Sequence, residues 1–154
     1  MKAAPHRSAG KSRESKNPMT FARAREILAW TWSLSLLLVL IVLVQTAMGY
    51  YKTDWQIPWG WLSPLLFPIL SMVFGAITAR TSLAHETEVR SKQLFVITLI
   101  LSALYIVALY IVVIFGAISP NGIEWLMAAS TWFLIPFQVI VSISLSKFFV
   151  EELR

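Results

Sequence analysis

The sequence contains no cysteine, which excludes disulfides, thiol redox chemistry and cysteine-ligated zinc or iron–sulfur centres. Charge is scarce as well: Asp, Glu, Lys and Arg make up 14% of 154 residues, against about 25% in ordinary globular domains. Where the charge is missing matters more. Four runs, at 28–50, 60–79, 94–118 and 125–146, hold no Asp, Glu, Lys, Arg or His. An ionisable group inside a bilayer costs at least about 2.5–3.5 kcal/mol, and such groups mark proton relays, ion paths and intramembrane catalysis. Their absence removes the carboxylate of small proton-coupled exporters, the histidines of intramembrane haem proteins and, with Asp54 the single Asp, an aspartyl peptidase dyad. No enzyme activity, cofactor or metal is expected.

What the sequence has instead is apolar length. Hydrophobic residues make up 57% of the chain, more than a soluble protein of this size can hide. The clearest stretch is Trp59 to Arg80, WGWLSPLLFPILSMVFGAITAR, whose uncharged portion reaches about 30 Å at about 1.5 Å per residue, the thickness of a hydrocarbon core. The pattern predicts an all-α membrane protein of four transmembrane helices in a compact antiparallel bundle, with short connections at YYKTDWQIPW and SPNGIE. A basic tail over 1–18, with five Lys or Arg and few apolar residues, precedes this domain at 19–154. The first run is long and starts late for a cleaved secretory signal, and is read as an anchor.

Charge sets the expected orientation. Seven Lys or Arg precede the first run, three lie between the second and third, and two follow the fourth, whereas the other two connections hold only Lys52. Both termini are therefore expected in the cytoplasm. The basic tail would face anionic lipid headgroups, which accounts for the net charge of +5 without invoking nucleic acid.

Thr20 is the expected N-cap of the first helix, with Trp30 and Trp32 at one interface and Tyr50 and Tyr51 at the other. A dense outer aromatic cluster, Tyr50, Tyr51, Trp55, Trp59 and Trp61, reads as a headgroup anchor or as a docking surface for a partner or lipid. On the second run Pro64, Pro68, Ser71 and Gly75 fall on one face and are expected to pack against other helices. The two prolines remove helical donors for the carbonyls of Gly60 and Pro64, and Gln45, at matching depth, is expected to supply them. Gln45, Ser71, Tyr105 and Gln138 are expected to form a buried polar cluster. Thr131, Gln138, Ser142 and Ser146 form a stripe on the fourth run, for packing or for lining a narrow path through an oligomer. His85, Glu86 and Glu88 lack a second histidine at ligand spacing, so they read as a solvated loop with a Glu86–Arg90 pair; His6 lies in the tail.

The composition points to a small polytopic protein without catalytic chemistry, a homo-oligomer or a subunit bound to another membrane protein. The alternative is a homo-oligomeric channel, pore or membrane-perturbing effector. One copy has no room for a lumen, because four helices packed at about 8–10 Å fill their own centre.

Overall fold

The computed structural model describes residues 20–51, 56–78, 92–116, 118 and 123–151. The tail at 1–18, Trp55 and the His85, Glu86, Glu88 group lie outside them. The described chain is helical: α1 (Phe21–Ser33), α2 (Leu36–Ala47), α3 (Gln56–Thr78), α4 (Lys92–Gly116) and α5 (Ile123–Glu151). With α1 and α2 taken as one span, four segments are long and apolar enough to cross a membrane, of 27, 23, 25 and 27 residues.

Thr20 caps α1 as its sequence predicts: its backbone is extended and its hydroxyl accepts from the Arg23 N–H at 3.4 Å. The first run is not one unbroken helix. At Leu34 and Ser35 the bonding tightens to i→i−3 pairs, Ser35 N–H to the Trp32 carbonyl and Leu37 N–H to the Leu34 carbonyl. Ser35 also turns its buried hydroxyl onto the Trp32 carbonyl, the back-bonding that bends helices. This segment ends at Ala47, short of the expected Tyr50. Gly49 takes a φ of 74°, with Tyr50 N–H bonding the Gln45 carbonyl and Gly49 N–H the Thr46 carbonyl, the paired bonds of a Schellman stop. The last helix runs past the expected Ser146 to Glu151, because Phe148 and Phe149 are buried and extend its core face by a turn.

Neighbouring helices form a closed ring. The α4–α5 interface is the most extensive; α5 also packs on α3, α1 on α3 and α4, and α2 on α4. Phe21, Phe95 and Phe148 meet at ring distances of 5.7 and 5.8 Å, which brings the start of α1, the start of α4 and the end of α5 together. We call this the near end. The core runs from there through Leu28, Trp32, Leu66, Tyr105, Leu134 and Leu145.

Trp32 is part of that core, fully buried with its ring 6.3 Å from Tyr105, whereas Trp30 is 69% exposed. They point to opposite sides of α1, because two residues apart on a helix is about 200° of rotation.

Candidate functional site

The helix with two internal prolines, α3, shapes the most distinctive surface of the molecule. Pro68 cannot donate to the Pro64 carbonyl. That carbonyl accepts from Gln138 Nε2 at 3.0 Å, so α5 supplies the missing donor across the helix interface. Beside it, the Tyr105 hydroxyl of α4 donates to the Leu65 carbonyl at 2.9 Å. The same device recurs at the break in the first span, where the Tyr110 hydroxyl donates to the Leu34 carbonyl at 2.7 Å. Side chains of α4 and α5 thus tie down backbone oxygens where the facing helices are irregular.

The donor expected from Gln45 comes from Gln138. Gln45 instead accepts from the Tyr51 hydroxyl at the far end of α2, with Tyr51 folded back into a buried position. Outside the spans, burial pushes the Tyr51 phenol up to about 12. The expected cluster of Gln45, Ser71, Tyr105 and Gln138 therefore separates. Tyr105 is buried, Gln138 is half-buried, Ser71 is exposed, and Gln45 belongs to a different contact.

The expected packing face of α3 is likewise not packed among the described residues. Pro64, Pro68, Ser71 and Gly75 are all exposed, and a Cβ added at Gly75 would meet nothing within 4 Å. Helical spacing keeps Ser71 and Gly75 on the stripe of Pro64, the residue Gln138 reaches. The larger apolar side chains of α3, among them Leu62, Leu66, Ile69 and Val73, take the core face instead.

Between these two helices lies a groove of about 570 Å³, lined by Met72 from α3 and by Gln138, Val139, Ser142, Ile143 and Ser146 from α5, with Lys147 at its near end. Its hydroxyls differ from the others of α5. Ser130 and Thr131 each donate to the Met127 carbonyl, and Ser144 pairs with Thr98 at 2.7 Å, buried between α5 and α4. Ser142 and Ser146 form no side-chain hydrogen bond among the described residues. Thr131, bonded to its own helix, does not line the groove.

The Thr98–Ser144 pair escapes sequence reading, since Ser144 sits in VSISLS, where three serines alternate and depth does not say which one faces α4. The outer aromatic cluster also divides: Tyr51 and Trp61 are buried, Trp59 is half-buried, and Tyr50 is exposed. Of its four described members, Tyr51 and Trp61 belong to the core and not to an exposed patch.

Among the described residues no three His, Cys, Asp or Glu gather at a metal-binding distance. The groove offers the hydroxyls of Ser142 and Ser146 beside an apolar wall of Met72, Val139 and Ile143. Comparison with protein-family models, with curated proteins and with solved structures gives no match.

Proposed function

We propose that the chain is a multi-pass membrane subunit that self-associates by seating helices of a second copy against the α3–α5 groove. The observation that carries this reading is a pair of small-residue stripes, exposed on α3 and running from half-buried Ser142 to exposed Ser146 on α5. Ser71 and Gly75 on α3, and Ser142 and Ser146 on α5, each repeat at four residues beside one groove. In lipid there is little hydrophobic drive between helices, so close backbone approach over small residues and interhelical hydrogen bonds supply the association. The surface carries both parts of a self-complementary contact: a ridge without side-chain bulk on α3, and unpaired hydroxyls on α5. That is the requirement of a two-fold interface.

The orientation proposed with it places both termini in the cytoplasm, supported by twelve Lys or Arg on one side of the four runs against Lys52 on the other. The near end then faces the cytoplasm. A pore lined by the α5 stripe draws less support, because Gln138, its most polar member, spends its amide on the Pro64 carbonyl.

The test is stoichiometry in nanodiscs, by subunit-counting photobleaching. Wild-type chain is expected as a dimer, and Gly75→Leu with Ser142→Leu as a monomer with unchanged helix content. A wild-type monomer, or a dimer indifferent to both substitutions, contradicts the proposal.

A further inference from the structure

A second recess, of about 590 Å³, opens between the start of α1 and the end of α3. Its lining joins Arg23, Arg25 and Glu26 to apolar Ala22, Ala29 and Ile77. Arg23 is exposed and Arg25 half-buried, and no ion pair joins either guanidinium to a carboxylate among the described residues. The position along the chain is as informative as the composition. From Ile27 to Tyr51 there is no further charge, so the recess straddles the boundary between the charged start of α1 and its apolar continuation. Ala22, Arg25, Glu26 and Ala29 fall on one side of α1 by helical spacing, the side that meets Ile77 of α3.

Small side chains at Ala22 and Ala29 keep the wall of α1 low, so the recess persists beside the tightly packed near-end ring cluster of Phe21, Phe95 and Phe148. Its charged lining sums to +1, two Arg less one Glu. A guanidinium presents a planar fork of donors that matches a phosphate oxygen pair, and basic recesses between membrane helices are suited to anionic headgroups.

We propose that this recess binds the phosphodiester headgroup of an anionic phospholipid. Arg25 holds the phosphate from the recess side of α1 and the long Arg23 side chain reaches it from the adjoining side, while Ala22, Ala29 and Ile77 lie against the glycerol and the first acyl carbons. Glu26 opposes the negative charge and moderates affinity. The inference is independent of self-association through the α3–α5 groove, which lies at the other flank of α3.

The experiment is titration of the full-length chain in zwitterionic detergent with phosphatidylglycerol, read by native mass spectrometry as bound lipid per chain. Each arginine contributes about fivefold to affinity, so Arg23→Gln with Arg25→Gln is expected to weaken binding about 25-fold. Glu26→Gln is expected to tighten it, and Arg23→Lys with Arg25→Lys to retain most of it. Lys2→Gln with Lys11→Gln in the tail is expected to leave it within twofold. Thermal unfolding of the arginine variants without added lipid is expected to match wild type, which separates a binding loss from a folding loss. sn-Glycerol 3-phosphate distinguishes a lipid site from a free phosphate site and is expected not to compete at lipid-saturating concentrations. Equal binding of phosphatidylcholine, competition by the soluble phosphate, or loss of binding on the tail substitutions alone would overturn the proposal.

Discussion

Replacing Gln138 by Leu removes the donor to the Pro64 carbonyl and leaves that oxygen with neither a helical nor a side-chain partner. Interhelical hydrogen bonds in membrane proteins average about 0.6 kcal/mol with a maximum near 1.7, and an unsatisfied polar group costs about 1–3 kcal/mol. Gln138→Leu is therefore expected to cost about 1–2 kcal/mol. The cause can be isolated. Pro68→Ala restores a backbone N–H one turn beyond Pro64, so the carbonyl regains a helical donor without Gln138. In that background Gln138→Leu is expected to cost less than about 0.5 kcal/mol, a coupling of about 1 kcal/mol between two residues on different helices. The assay is equilibrium unfolding in mixed micelles of detergent and SDS, followed by far-UV circular dichroism. Equal costs of Gln138→Leu with and without Pro68 would refute the reasoning. The amide would then be filling space and not standing in for a proline.

Three further outcomes follow from the same structure. Ser144→Ala is expected to destabilise by about 0.5–1 kcal/mol because it removes the 2.7 Å hydroxyl pair and leaves Thr98 only its longer 3.4 Å bond to the Ser144 carbonyl, whereas Ser102→Ala removes a buried hydroxyl that has no partner among the described residues and is expected to be neutral or stabilising in the same assay. Gly49→Ala is expected to cost about 1 kcal/mol, since the added Cβ meets no neighbour but the φ of 74° disfavours any side chain. The Tyr51 phenol stays protonated in the folded state to about 12, above the ordinary value of 10 that the unfolded chain has. Between those values the unfolded state holds fewer protons, so stability is full below pH 10 and falls by about 1–2 kcal/mol as pH rises to 12; Tyr51→Phe is expected to remove that part of the alkaline slope.

The four apolar segments are legible in the sequence because length without charge is a strong signal. So are the Thr20 cap and the identity of α3 as the helix whose backbone needs outside donors. Which faces point inward is not legible. In a soluble helix the polar face names the outer side, but here both sides of every span are apolar and the pattern carries little direction. That is why Ser71 and Gly75 read as a packing face and stand exposed, and why Trp30 and Trp32 read alike and separate. Depth along the chain matches Gln45 to the freed carbonyls and sets Gln138 level with Ser71 and Tyr105. The choice between the two glutamines depends on α5 packing on α3 while α2 packs on α4, a ring order that no single span encodes.

The proposed seat of a second copy is the α3–α5 surface, and the absence of cysteine makes its occupation directly measurable. Single cysteines at Ser142 and Ser146 in the groove and at Gly75 on the exposed α3 stripe, and at Val107 and Ile111 on the exposed face of α4, can be oxidised in intact membranes and resolved on non-reducing gels. Covalent dimers are expected for the α3 and α5 positions and not for α4. Cross-linking at Val107 and Ile111 with the α3 and α5 positions silent, or equal yields everywhere, would contradict the account.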